Sequence, residues 1–258
     1  MKPLRPVELS DPRYEVDGLR HATANSRALR RRADATFWAP ADHGGGTLPL
    51  VVLLHGVYGS HWAWAHKAGA HRTAQCLIDR GRIPPIALAM PSDGLFGLGS
   101  GYVGGAATWI LDEVPWLASQ ACPAVDPDAP IAIAGLSMGG FGALLLGARH
   151  PDRVHAVAGM SSITDFEQMR LFVGDLGAYD VADDERSVER ALRATPTRPR
   201  IHFDCGTDDP LLEHNRALHA SLDAAKIPHT YDEHPGGHDW AYWATHLEDA
   251  LIFLEGTT

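Results

Sequence analysis

The sequence predicts an α/β fold: a mostly parallel central sheet with helices on both faces, antiparallel strands at its N-terminal edge and little or no cap. Two observations carry the core of that prediction. From residue 49 onward, short apolar runs alternate with helically spaced segments, the order that builds parallel sheets. The first of them, Pro49-Leu-Val-Val-Leu-Leu-His-Gly56, is a run of branched apolar residues rather than an alternating one, as in a strand buried on both faces. A third observation, the strand-like Ala33-Asp-Ala-Thr-Phe-Trp-Ala39 ahead of this region, supplies the antiparallel edge.

Taken in order, the N-terminal region contributes an antiparallel hairpin, with the basic run Arg27 to Arg32 as the solvated end of an early strand. Ala41-Asp-His-Gly-Gly-Gly-Thr47 is the turn into the core. Core strands are expected at Pro49–Gly56, Ile86–Pro91, Ile131–Gly135, Val154–Gly159, Arg200–Gly206 and His229–His234. Helical spacing appears in Leu111, Val114, Trp116 and Leu117, over Phe141–Arg149, and in Leu211, Leu212, Leu218, Leu222 and Ala225. It recurs in Ala241, Leu247, Leu251 and Leu254. Residues 161–200 are the least regular stretch, with an acidic cluster at Asp183, Asp184 and Glu185 and a helical pattern from Val188 to Leu192. They read as a surface crossover rather than a cap.

A chain of 258 residues can fill one α/β domain and bury a large core without disulfides or metal. We therefore expect a single domain over residues 1–258. The formal charge of −10 argues against nucleic-acid or anionic-membrane partners. Three cysteines without a CxxC pair point to neither a disulfide framework nor a zinc site. The N-terminus lacks the apolar core of a secretory signal, and no stretch is long enough to span a membrane. The expectation is a cytoplasmic protein without cofactor or metal.

The chemistry is concentrated in Gly135-Leu-Ser137-Met-Gly139, which follows a strand and precedes a helix. In that context GxSxG places a serine on a sharp turn at a helix N-terminus, with Oγ lifted above the sheet. A serine hydroxyl needs a base, and this fold supplies acid and histidine later in the chain. Asp209 and His238 follow two successive strands and are the chosen pair, with Asp208 and His234 as competitors and Asp204 read as structural. The oxyanion donors are expected to be the backbone N–H groups of Val57, in His55-Gly-Val-Tyr-Gly59, and Met138.

These segments together resemble the esterase family that includes S-formylglutathione hydrolases, mycolyltransferase antigens, and feruloyl or acetyl-xylan esterases. The matching stretches are Leu53–Gly59, Ala89–Gly94, Glu113–Pro115, Gly135–Gly142, Gly206–Asp209 and Gly236–Asp239. The resemblance implies an α/β-hydrolase fold, an acid at the fourth position of Gly206-Thr-Asp-Asp209 and a first oxyanion donor at Val57.

Tyr58, Trp62 and Trp240 are candidate substrate-binding residues; Trp64 and the loop Gly94 to Tyr102 are further aromatic candidates. Trp109 and Trp116 read as helix packing, and Asp93 as a strand-end polar residue. The reading is a serine carboxylesterase acting on short-chain or aromatic acyl esters through an acyl-enzyme on Ser137. Its rivals are a carbohydrate esterase, a thioesterase like S-formylglutathione hydrolase, and a non-catalytic binding module. A metallohydrolase using His214 and His219 is disfavoured, because a spacing of five does not share a helix face.

Overall fold

The computed structural model describes residues 4–93, 99–174 and 181–256. Among them, nine strands pair into one sheet: β1 (Leu4–Leu9), β2 (Arg20–Ser26), β3 (Arg31–Trp38), β4 (Leu50–Leu54), β5 (Ala87–Pro91), β6 (Ile131–Leu136), β7 (Val154–Met160), β8 (Arg200–Gly206) and β9 (Thr230–His234). Their order across the sheet is β1-β2-β3-β5-β4-β6-β7-β8-β9. The six strands from β5 to β9 in that order are parallel, and β1, β2 and β3 join them antiparallel.

The helices are α1 (Ala63–Lys67), α2 (Ala70–Asp79), α3 (Gly105–Thr108), α4 (Val114–Ala121), α5 (Met138–Arg149), α6 (Val188–Ala194), α7 (Leu212–Ala224) and α8 (Trp240–Glu255). A π-helical turn, Trp109–Glu113, joins α3 to α4. Successive residues of a strand face opposite sides of the sheet, and β4 shows the result. Val51 and Leu53 pack with residues of α1, α2 and α8, whereas Val52 and Leu54 pack with residues of α4, α5, α6 and α7. All five β4 side chains are therefore buried, which is why the run has no polar alternation.

The hairpin expected at the N-terminal edge is β2–β3, and β1 adds a strand the sequence reading did not contain. The basic run forms the hairpin turn and the first residues of β3. Glu113, wholly buried, accepts the N–H groups of Arg27 (3.1 Å) and Ala28 (3.2 Å) and so pins that turn to the π-helical segment. Trp109 is buried and donates to the Ser92 carbonyl (2.8 Å), while Trp116 packs against the core, as expected of helix-packing residues. Asp204 is likewise interior, accepting from the Tyr242 hydroxyl at 2.6 Å. Among the described residues no helix is long and apolar enough to cross a membrane.

Because β4, β6, β8 and β9 are parallel, their C-terminal ends reach the same edge of the sheet. The loops that follow them carry Val57, Ser137, Asp209 and His238.

Candidate active site

Ser137 bridges β6 and α5 at φ 54° and ψ −118°, a left-sided conformation that costs a non-glycine residue free energy. Three backbone hydrogen bonds hold it there. Its N–H donates to Met160 (2.9 Å), and its carbonyl accepts from Phe141 (3.1 Å) and Ile163 (3.2 Å). The flanking glycines are needed for contact reasons. A Cβ on Gly135 would fall on the Gly139 carbonyl, and one on Gly139 would fall on the Leu54 carbonyl.

His238 Nε2 lies 3.0 Å from Ser137 Oγ, and His238 Nδ1 lies 2.9 Å from Asp209 Oδ2. The other carboxylate oxygen of Asp209 accepts the Leu211 N–H at 2.8 Å. Burial works to raise the Asp209 carboxyl, but hydrogen bonding and charge from His238, together with the Leu211 N–H, outweigh it and hold the group below its ordinary value. Asp208 is exposed, and its N–H donates to the Gly236 carbonyl in the neighbouring loop. His234 stacks on His246 at a centroid distance of 4.2 Å. Of the two competing pairs, the structure brings Asp209 and His238 to the serine. His214 is exposed on α7.

The loop after β4 turns tightly, with Gly59 N–H donating to the Gly56 carbonyl (3.2 Å) and Tyr58 at φ 59°. Beneath it lies His55, whose Nδ1–H donates to the Gly56 carbonyl (2.7 Å) and whose Nε2 accepts the Asp93 N–H (3.2 Å). Burial pushes the His55 pKa down, so the ring is neutral and fits this donor–acceptor pattern. Asp93 is buried and accepts the Ser100 N–H at 2.7 Å, an interior role. Among the described residues no acceptor takes the Val57 N–H. The Met138 N–H opens α5 and has no partner within the helix.

The cleft over Ser137 has a volume of about 570 Å³. The expected Tyr58, Trp62 and Trp240 all line it, but so do Lys67, Leu171, Phe172 and Trp243, which the sequence reading missed. Phe172 stacks on the His238 ring (4.6 Å, 21°), Trp243 meets it edge-on (5.0 Å), and the Tyr58 hydroxyl donates to the Phe172 carbonyl (2.8 Å). The residue 161–200 crossover thus contributes to the cleft wall. Trp243 had a faint signal in its three-residue spacing from Trp240; Phe172 had none. Trp64 is a correction: it is 1 % exposed, donates to the Leu54 carbonyl and supports Trp240 edge-on from below. Tyr102 is also interior, donating to the His55 carbonyl, and Gly94–Leu98 lie outside the described residues.

Fold and site together define a serine hydrolase of the α/β-hydrolase fold. The family model described as Putative esterase matches residues 26–254, and the chain belongs to that family; it is a carboxylic ester hydrolase. It is 25 % identical over 232 residues to an acetyl esterase of Caldicellulosiruptor saccharolyticus, covering 80 % of this chain and 83 % of that protein. A ferulic acid esterase superposes with a TM-score of 0.73 at 23 % identity, covering 98 % of this chain and 99 % of that one. The fluorophosphonate-binding serine hydrolase FphF of Staphylococcus aureus gives 0.76 at 19 % identity, covering 98 % and 100 %.

Proposed function

We propose that Ser137, His238 and Asp209 form the catalytic triad of a carboxylesterase for short-chain or aromatic acyl esters. The observation that carries this is the two-link chain from Ser137 Oγ through His238 to Asp209, with separations of 3.0 and 2.9 Å. As Oγ attacks the ester carbonyl, its proton passes to His238 Nε2, and the ionised Asp209 holds the imidazolium by its Nδ1–H. The N–H groups of Val57 and Met138 receive the developing oxyanion. Collapse of the tetrahedral adduct expels the alcohol, which takes the proton from His238 and leaves an acyl-Ser137. Water, deprotonated by His238, then attacks this ester, and His238 returns that proton to Ser137 Oγ as the acid departs.

The indole and phenyl walls of the cleft suit flat acyl groups. A carbohydrate ester carrying an acetyl or feruloyl group is the second reading, favoured by similarity to an acetyl esterase and a ferulic acid esterase. We place the protein in the cytoplasm, a reading supported by the free thiols of Cys76, Cys122 and Cys205, and read residues 1–258 as one functional domain. The test is fluorophosphonate labelling, with p-nitrophenyl acetate, butyrate and octanoate turnover, of wild type and Ser137→Ala. Labelling lost in the variant and faster turnover of the short esters are expected. A folded wild type that neither labels nor turns over would overturn the mechanism.

A further inference from the structure

We propose that His219, Asp223 and His229 form a binding site for one zinc-like divalent cation, joining the end of α7 to the start of β9. His219 and Asp223 are four residues apart on α7 and so share a helix face. His229 immediately precedes β9. One ligand atom from each of the three residues lies within 4.8 Å of the other two.

His229 is prepared as a ligand in the way metal-bound histidines are. Its Nδ1–H donates to the Ile227 carbonyl at 2.7 Å, which fixes the tautomer and leaves a lone pair on Nε2. The ring is stacked on Phe203 (5.6 Å, 12°), with the side chain only 2 % exposed, so its orientation is set by packing. That lone pair points at His219 Nδ1, 2.8 Å away, and lies 3.9 Å from Asp223 Oδ1. The His219 ring is in turn stacked on Tyr231 (4.8 Å).

The distances fit a small cation. Ligand atoms held about 2.1 Å from a tetrahedral zinc lie roughly 3.4 Å apart, and the separations of 2.8 and 3.9 Å bracket that value. Without the ion, His219 Nδ1–H donates to His229 Nε2. Binding moves that proton to His219 Nε2, freeing Nδ1 for the metal, while Asp223, one turn away on α7, turns a carboxylate oxygen to the ion. The ring nitrogens separate by a few tenths of an ångström, which the exposed side of His219 permits. Two imidazoles and one carboxylate favour zinc, nickel or copper over magnesium or calcium, and a water completes the fourth position.

Parallel topology puts this cluster at the N-terminal edge of the sheet, opposite the edge that carries Ser137. The cation is therefore structural: it ties α7, which begins just after Asp209, to β9, which leads to His238. The test is calorimetric titration of the intact protein with zinc chloride at neutral pH, with thermal melting and ester turnover measured in parallel. One equivalent is expected to bind and raise the melting temperature, leaving turnover unchanged. His219→Ala, at the more exposed of the two histidines, is expected to weaken binding about tenfold or more, while Asp223→Asn also weakens it. His246→Ala, which breaks the separate grouping of His234, His246 and Asp249, is expected to change nothing. No saturable binding by wild type, or full binding by a folded His219→Ala, would leave the pair as a histidine–histidine hydrogen bond and overturn the proposal.

Discussion

At the residue scale, each member of the proposed proton relay offers a different substitution to read. Ser137→Ala removes the proposed nucleophile and is expected to lower kcat by about a million-fold while leaving the melting temperature nearly unchanged. Asp209→Asn keeps the shape but presents the wrong hydrogen-bond pattern to His238 Nδ1, and is expected to lower kcat by about 10⁴-fold. Asp208→Asn alters an exposed side chain and is expected to cost little; a larger loss there than at Asp209 in p-nitrophenyl acetate turnover would reassign the acid. The meeting of Ser137, Asp209 and His238 was legible because motif and chain order restrict where such residues fall. Phe172 was not. Its place over His238 depends on how an irregular crossover folds back, and no local periodicity encodes that. Trp64 misled for the reverse reason: nearness in sequence to Trp62 says nothing about which of the two turns inward on a short helix.

At the scale of elements, the loop after β4 is set by what lies beneath it. A Cβ on Gly59 would stand 2.6 Å from His55 Nδ1, inside a buried and hydrogen-bonded ring. Gly59→Ala is expected to displace the Val57 N–H and lower kcat by roughly 10²-fold with little change in KM, the signature of a lost oxyanion donor. Unchanged kcat in the folded variant would show that this loop does not position the donor. Phe172→Ala tests the crossover: it should raise KM for aromatic esters more than for acetates, measured as paired kcat/KM values. The central strands β4, β5 and β6 were legible because burial on both faces leaves unbroken apolar runs. The strand β1 was not, since Leu4-Arg-Pro-Val-Glu-Leu9 is an edge sequence with proline and charges. The helix α2 escaped because its buried stripe is Ala70, His71, Ala74 and Leu77, too small and polar to register as a hydrophobic face.

Across the whole molecule, histidine burial sets the response to acid. Burial is the largest influence on His55, His61, His71 and His150, and all four lie below the ordinary value of 6.5. The unfolded chain takes up protons near pH 6.5 while the folded chain leaves these rings neutral. Stability is therefore full above pH 6.5 and declines as pH falls from there toward the folded values. The melting temperature is expected to drop between pH 7 and pH 5, in a range where the Asp209 carboxylate is still ionised. A flat profile over that range would mean the interior rings accept protons without penalty.

The strand β9 closes the sheet with β8 as its single neighbour. It carries Asp232 and Glu233 in a largely exposed row, with Arg216 reaching back to Glu233 at 2.7 Å. An edge of unpaired amides is a template for another chain, but a second β9 laid alongside would bring carboxylates against carboxylates. The acidic margin thus acts as a gatekeeper against edge-to-edge aggregation.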